Sequence, residues 1–417
     1  MKLLPNVALA LMLSLGATAM VAAPATAQKN KKDDKAEAGV PKLTASPAFG
    51  KPAQEVKKAL DAKDFATAEA KLAIADPLAT TDDDRYFANI FRLNIASEKK
   101  DNATLATALD ALIVNPKTPP ADLPAYNFVR GTIAIEAKQN EQAIPFLLKA
   151  RELGYAKTDL SVSLAQAYGS TNRTKEAIAE LDKAVETETA AGRTAPESWY
   201  AYAVSNSYAG RDVPTAEAWL VRQLKAYPKV ATWRTAVNNF RKVTDPTNTK
   251  FTKAQKLDLY RTMRGTKVLS DPNDYYGYVQ AALDSGLPWE SAAVIDEGRA
   301  AGKIPSGDAD IARVYTAAQA AMKSEVSAAN AAGKSKPSVA GDIYYAAGDY
   351  AKAAESYTAA AGQAGADANT VNMHLGMALA NLGRKDEAKA AFAKVTAAPL
   401  SQIAHLWTIW LDSPPLA

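Results

Sequence analysis

The sequence predicts an all-α protein built from stacked pairs of helices, and three observations support this prediction. First, 89 of the 417 residues are Ala, the residue with the highest intrinsic helix propensity. Second, small and large apolar residues recur at the same offsets with a period of 34 or 35 residues, which indicates a repeat architecture. Third, there is no sustained alternation of apolar and polar residues, so no β-strand is predicted.

The first 27 residues have the organisation of a secretory signal peptide. Lys2 gives a positive start, an Ala-rich apolar stretch covers residues 7–21, and Ala25-Thr26-Ala27 forms a small-residue cleavage site. The apolar stretch is shorter than the ~20 residues that a membrane span needs. We therefore predict cleavage after Ala27, a mature chain without a transmembrane segment, and a periplasmic location, with secretion as the second choice.

Residues 28–52 are predicted to form a disordered, charged tether. This segment combines six Lys with three acidic residues and three Pro, a composition that cannot bury enough apolar surface to fold. Its lysines could make a weak contact with an anionic surface, although the interleaved acidic residues favour a solvated spacer. The remaining residues, 53–417, have a net charge of zero, so we expect no binding to nucleic acid.

Four units in the body repeat the same pattern of residue sizes. A small residue is followed twelve positions later by Ala, and a larger residue comes four positions after that. Small residues let two helices approach closely, and the larger residue fills the space beside them. Neither helix can bury its apolar stripe alone, so the units must stack. The four sets are Gly131, Ala143, Leu147; Ala165, Ala177, Leu181; Gly341, Ala353, Tyr357; and Gly376, Ala388, Phe392.

These four units resemble tetratricopeptide repeats, which are 34-residue helix–turn–helix units. The resemblance covers about 130 residues; all four units lack the Trp and the final Pro of the family pattern. It implies a right-handed superhelical solenoid of stacked repeats. It also implies that the first helix of each repeat lines a concave surface that binds a protein or peptide partner of unknown identity.

Weaker copies of the repeat extend the predicted solenoid over most of the chain. The predicted domains are N-terminal repeats over residues 53–240, an irregular linker over 241–252, and C-terminal repeats over 253–417. Trp407 and Trp410 lie in a last apolar helix, which we expect to cap the final repeat, or to form a docking patch if it is exposed.

The resemblance also assigns residues to the concave surface. In the two central units these are Phe128, Thr132, Ile135, Glu136, Asp159, Val162, Gln166 and Ser170. In the two C-terminal units they are Ser338, Asp342, Tyr345, Met373, Met377 and Asn381. The set mixes apolar and polar side chains, which favours an apolar or extended peptide as the ligand.

No catalytic, cofactor or metal site is predicted. The chain has no Cys and two His, and it lacks the glycine-rich phosphate-binding motifs. Acidic clusters at 82–84, 271–274 and 308–310 precede apolar helices, and we interpret them as helix caps. Aromatic clusters at 199–233 and 275–289 are either inter-helix core or a ligand-gripping surface.

Together these observations favour a non-enzymatic scaffold that mediates protein–protein interaction in envelope assembly or export. The alternative is an envelope enzyme that acts on glycan or peptide within the hollow of the superhelix. A pair of converging carboxylates would favour that enzyme, and a smooth groove would favour the scaffold.

Overall fold

The computed structural model describes residues 43–244, 250–332 and 335–414, and in these ranges it is all-α with 20 α-helices and no β-strand. The predicted fold class is therefore confirmed. The signal peptide and residues 28–42 of the predicted tether lie outside the described residues. Two compact units, Met1–Trp199 and Tyr200–Ala417, make up the chain. Within the described ranges, no helix has the length and apolarity needed to cross a lipid bilayer.

The first unit is a series of antiparallel helix pairs in which each helix packs against the next. A 3-10 turn, Asp76–Leu78, follows the second helix. The helices are α1 Pro47–Asp61, α2 Phe65–Ala75, α3 Asp82–Lys99, α4 Asn102–Val114, α5 Leu123–Glu136, α6 Asn140–Glu152, α7 Thr158–Ser170 and α8 Thr174–Ala190, and α9 Glu197–Ala209 starts before the unit ends.

The first helix begins earlier than the sequence predicted, because α1 includes residues 47–52 of the expected tether. Ser46 caps this helix by accepting a hydrogen bond from the backbone N–H of Phe49 at 3.3 Å. Pro47 occupies the first turn, where its fixed φ suits a helix and its missing N–H costs nothing. Phe49 is fully buried, so apolar burial offsets the polar composition of the segment.

Contacts between small and large residues hold the helix pairs together, as the repeat pattern predicted. A Cβ atom added to Gly131 would lie 2.7 Å from the side chain of Leu147. The same atom on Gly376 would lie 2.5 Å from Phe392. At these distances only Gly lets the first helix of a pair lie directly on the large side chain of the second.

The turns inside the helix pairs use a left-handed residue, and its type changes along the chain. In the first unit these residues are Lys63, Lys100, Lys138 and Asn172, with φ of 56°, 55°, 61° and 60°. In the last two repeats it is Gly348 or Gly383, with φ of 79° and 75°. A residue with a Cβ is strained in this conformation by roughly 1–2 kcal/mol, so the lysine turns are the less stable ones.

The second unit contains the remaining helices, together with a 3-10 turn over Pro288–Glu290. They are α10 Val213–Ala226, α11 Val230–Thr244, α12 Lys253–Gly265, α13 Pro272–Asp284, α14 Ser291–Ala300, α15 Ala309–Ala332, α16 Pro337–Ala346, α17 Tyr350–Ala361, α18 Ala368–Asn381, α19 Lys385–Phe392 and α20 Leu400–Asp412. Of the predicted linker 241–252, residues 241–244 belong to the end of α11 and residues 250–252 precede α12. Residues 245–249 lie outside the described residues, and the role of this segment as a domain boundary stays a prediction.

Helix α12 closes the second unit on itself. It packs against α13, its neighbour in sequence, and also against α18 and α20. Trp407 of α20 is fully buried, lies 6.0 Å from the ring of Phe392, and donates an indole hydrogen bond to Thr262 at 2.8 Å. A Cβ on Gly265 would lie 2.0 Å from that indole, so α12 and α20 meet at van der Waals distance.

The acidic clusters cap helices, as predicted. Thr81 and Asp84 form a reciprocal capping box at the start of α3, and Asp271 and Asp274 do the same for α13. The carboxylate of Asp308 accepts the N–H of Ile311 at 3.0 Å, at the start of α15.

The aromatic clusters are mainly core. Among their members Trp233 and Tyr278 are fully buried, and Trp289 keeps 8% of its surface exposed. These rings hold helices together in the structure and leave little aromatic surface for a ligand.

Candidate functional site

Four of the eight predicted concave residues of the first unit are turned into the fold. Phe128, Thr132, Ile135 and Val162 are buried, with at most 7% of their surface exposed. Asp159 and Gln166 are half-buried, and Glu136 and Ser170 are exposed. A partner that approaches this surface therefore meets mainly polar groups.

One aromatic contact links two of the repeats on this surface. The ring of Phe128 stacks on Tyr155 with centroids 4.3 Å apart, and the Tyr155 hydroxyl donates to Asp159 at 3.3 Å. The second carboxylate oxygen of Asp159 and the amide oxygen of Gln166 are buried, and neither has a hydrogen-bond partner among the described residues. Burial raises the pKa of Asp159, because desolvation disfavours its charged form.

Three of the six predicted concave residues of the second unit are covered by the same unit. Met373 and Met377 are fully buried, and Tyr345 keeps 4% of its surface exposed. Ser338 and Asp342 are half-buried, and Asn381 is exposed. The role of all these residues in partner binding stays a prediction, and in this structure a partner reaches the buried ones only if the helices move.

A buried charge cluster, formed by Asp258, Arg261, Glu290, Asp342 and His374, joins α12 to the repeats behind it. Arg261 donates two hydrogen bonds to Glu290, at 2.9 and 2.7 Å. These bonds use Nε and Nη2, and the remaining guanidinium nitrogen, Nη1, lies 3.6 Å from Asp258 and 3.8 Å from Asp342. Arg261 and Glu290 are almost completely buried, so each charge needs its partner.

His374 is the second cation of the charge cluster. Its Nε2 lies 2.9 Å from Asp258 and its Nδ1 lies 3.0 Å from Asp342. Burial would lower the pKa of this imidazole, but the two carboxylates outweigh that effect and raise it to about 10. A protonated His374 can donate to both carboxylates at once, which a neutral imidazole cannot do.

The carboxylates of the charge cluster are fully engaged. Tyr278 donates to Glu290 at 2.7 Å and Tyr357 donates to Asp342 at 2.8 Å. Because every acid here is bound to a cation or a hydroxyl, we interpret the cluster as a structural link. Within the described ranges, no group of three or more His, Asp or Glu residues has the arrangement of a metal site.

A recess of about 400 Å³ opens beside the charge cluster. Two predicted concave residues, Tyr345 and Asn381, line it together, and the Asn381 amide donates to the Tyr345 hydroxyl at 3.3 Å. Its other lining side chains include Arg264, Lys267 and Tyr350. This is a size at which protein cavities hold small ligands or side chains of a partner.

The charge of the recess is positive. Arg264 is paired with Glu297 through both Nε and Nη2, the closest approach being 2.6 Å. Lys267 is exposed, and Glu297, the acidic residue that lines the recess, is paired with Arg264. The recess therefore presents the Lys267 cation beside three tyrosine rings, those of Tyr275, Tyr345 and Tyr350, and the Asn381 amide.

Sequence reasoning placed α12 within the C-terminal repeats but missed the contacts that its side chains make. Asp258 and His374 are 116 residues apart, and nothing in the repeat pattern pairs them. Arg264 and Lys267 lie between the two groups of clear repeats, in a stretch without the repeat signature. The one available signal was the density of Lys and Arg in residues 222–267.

Comparison with known proteins identifies the repeat type in two places. Residues 159–189 and 370–399 match the family model of the tetratricopeptide repeat, and they correspond to α7–α8 and α18–α19. A search of the curated proteins gives no match. Among solved structures, the crystal structure of the P58(IPK) TPR domain aligns with 87% of this chain and 97% of its own, at 14% identity and a TM-score of 0.24.

Proposed function

The chain contains tetratricopeptide repeats, and we propose that this protein is an exported, non-enzymatic scaffold that binds a protein partner in the cell envelope. The observation that carries this proposal is the pair of matched segments, 159–189 and 370–399. Repeats of this kind display surfaces to other proteins. The signal-like sequence of residues 1–27 supports export to the periplasm.

We place the partner contact at the recess of the second unit. Lys267 supplies a positive charge, and Tyr350 supplies a half-exposed ring. Asn381 supplies an acceptor oxygen, because its amide nitrogen already donates to Met377 and Tyr345. A partner segment with an acidic side chain next to an apolar one fits this combination, because the carboxylate meets Lys267 and the apolar part covers the ring.

Site-specific photocrosslinking in cells tests the contact. A photoreactive amino acid replaces Lys267 or Asn381 in separate full-length variants, and a third variant carries it at Lys323, which is exposed on α15. We expect the same partner protein to be crosslinked from positions 267 and 381 and not from 323. Equal yields at all three positions, or no crosslinked protein at 267 and 381, would contradict the contact.

Fractionation of the same cells tests export separately. The proposal expects the protein in the periplasmic fraction with Gln28 as its N-terminal residue, as read by mass spectrometry. An uncleaved N-terminus, or recovery of the protein in the cytoplasmic fraction, would contradict export. The partner contact would still be tested by the crosslinking experiment.

A further inference from the structure

A second recess, of about 500 Å³, lies between α17, α18 and α19 of the last two repeats. Its lining includes Leu375 and Leu379 of α18, and the rest comes from α17 and from α19 with the residues beside it. Met377, a predicted concave residue, stands on the opposite side of α18, because two residues turn an α-helix by about 200°. This recess, which we call the α17–α19 groove, is therefore separate from the one that Asn381 lines.

The same arrangement of three helices occurs in the first unit, where α6, α7 and α8 correspond to α17, α18 and α19. The two segments that match the tetratricopeptide model begin at residues 159 and 370, which differ by 211, and this offset aligns α7–α8 with α18–α19. The repeat alanines Ala143 and Ala353 differ by 210 and align α6 with α17. Each residue that lines the groove therefore has a counterpart in the first unit.

The groove is open because its side chains are smaller than their counterparts. Of the ten lining positions, five have the same residue in both units. Four of the others have a smaller side chain in the second unit, and together these four lack twelve non-hydrogen atoms. The four changes, from the first unit to the second, are Ile144 to Ala354, Leu148 to Thr358, Tyr168 to Leu379, and Glu180 to Ala391.

In the first unit, the two largest of these four side chains each face a cation. The guanidinium of Arg173 lies over the ring of Tyr168, 4.4 Å from its centroid. The ammonium of Lys183 donates to Glu180 at 2.8 Å, and Glu180 is also paired with Arg151 of α6. The ring and the carboxylate thus fill the space between these helices and satisfy the cations beside it.

The second unit keeps both cations but not the ring and the carboxylate. Arg384 corresponds to Arg173 and has Leu379 in place of the ring. Lys394 corresponds to Lys183 and has Ala391 in place of the carboxylate. The groove therefore presents two cations of the original arrangement around a space from which their counterpart groups are missing.

We propose that the α17–α19 groove binds a segment of a partner protein in which an aromatic side chain lies next to an acidic one. The ring covers the apolar floor and meets the guanidinium of Arg384. The carboxylate takes the place that Glu180 has in the first unit, beside Lys394. This site lies on the other side of α18 from the contact proposed above and stands independently of it.

The selectivity for an acid has to be short-range. Besides the two cations, the lining contains Glu355 and Glu387, so its charged residues sum to zero. Glu387 is paired with Arg384, which leaves Lys394 as the cation for an incoming carboxylate. An exposed ion pair of this kind changes affinity modestly, whereas the burial of the ring supplies most of the binding.

An NMR titration of the mature chain, residues 28–417, with labelled leucine methyl groups tests this proposal. The probes are the blocked tripeptide acetyl-Glu-Phe-Glu-amide, an analogue with Gln in place of both Glu, and an analogue with Ala in place of Phe. The methyl signals of Leu375 report binding. Lys394→Gln removes the exposed cation, and Ala391→Glu restores a carboxylate from within the chain. The matched controls are Lys323→Gln and Ala320→Glu, at exposed positions of α15.

We expect the acidic peptide to bind the wild type about two- to fivefold more tightly than the Gln analogue, and the Ala analogue to leave Leu375 unshifted. Lys394→Gln should lose the preference for the acid, Ala391→Glu should abolish the shifts of Leu375, and both controls should behave as the wild type.

Three results would overturn the proposal. The first is equal affinity of the wild type for the acidic and the Gln peptide. The second is binding to Ala391→Glu that is as tight as binding to the wild type. The third is a dimer in sedimentation velocity that Ala391→Glu dissociates, because a second copy of the chain would then fill the groove. If Ala391→Glu does not fold, the comparison of the two peptides on the wild type and on Lys394→Gln decides the question.

Discussion

Raising the pH from about 6.5 to 9.5 should destabilise the second unit, and replacing His374 with Gln should abolish this dependence. The folded pKa of about 10 lies above the ordinary value of 6.5. Below pH 6.5 the folded and unfolded chains both hold the proton, so the stabilisation is complete there. Between the two values only the folded chain holds it, so stability falls as the pH rises and is lost through pH 10.

The magnitude follows from the size of the pKa shift. Each pH unit inside this window lowers the free energy of unfolding by up to about 1.4 kcal/mol. From about pH 6.5 to 9.5 the total loss is therefore up to about 4 kcal/mol. At low pH, His374→Gln removes the cation between the buried carboxylate of Asp258 and the half-buried one of Asp342, and we expect it to cost about 3–5 kcal/mol.

Urea unfolding followed by far-UV circular dichroism and tryptophan fluorescence measures both effects. The chain has two His and no Cys, so few other side chains titrate in this range. His405→Gln is the matched control, because His405 is exposed on α20. An unfolding midpoint of the wild type that does not move with pH would refute the assignment of a protonated His374. So would a pH dependence that survives in His374→Gln.

Two further predictions concern glycines. Gly265→Ala should destabilise the second unit by about 1–3 kcal/mol, because its Cβ would meet Trp407 at 2.0 Å. The control is Gly50→Ala, whose Cβ has ordinary space in α1 and which should be neutral or stabilising. Thermal melts measure both variants, and equal shifts of their melting temperatures would contradict the packing argument. Gly348→Ala should lower the free energy of unfolding by about 1 kcal/mol. The cause is backbone strain alone, since φ is +79° and no atom lies within 4 Å of the new Cβ. An unchanged midpoint of urea unfolding would show that the turn relaxes.

The repeats were predictable because their packing is local. Gly131 and Leu147 are sixteen residues apart, and so are Gly376 and Phe392. A single helix pair contains both partners of the contact, so the sequence offset already encodes the geometry. The start of α1 was less predictable, because Pro and Lys around Phe49 resemble a tether until one knows that the ring is buried.

The charge cluster was not predictable because its partners are distant in sequence. His374 meets Asp258 only when the stack has turned far enough to bring α18 to α12. Small differences in packing angle, repeated at each helix pair, decide where that meeting occurs, and no single residue encodes their sum. For the same reason the concave residues Met373 and Met377 were expected to face a partner, although they are buried in their own unit.

The contact of α12 with α20 has a consequence for how this unit can change in evolution. An open stack can gain or lose a helix pair anywhere, since each repeat touches only its neighbours. Here an added pair between α13 and α18 would carry His374 away from Asp258 and Trp407 away from Gly265. The part of the second unit from α12 to α20 is therefore fixed in length, and variation in repeat number has to take place outside it.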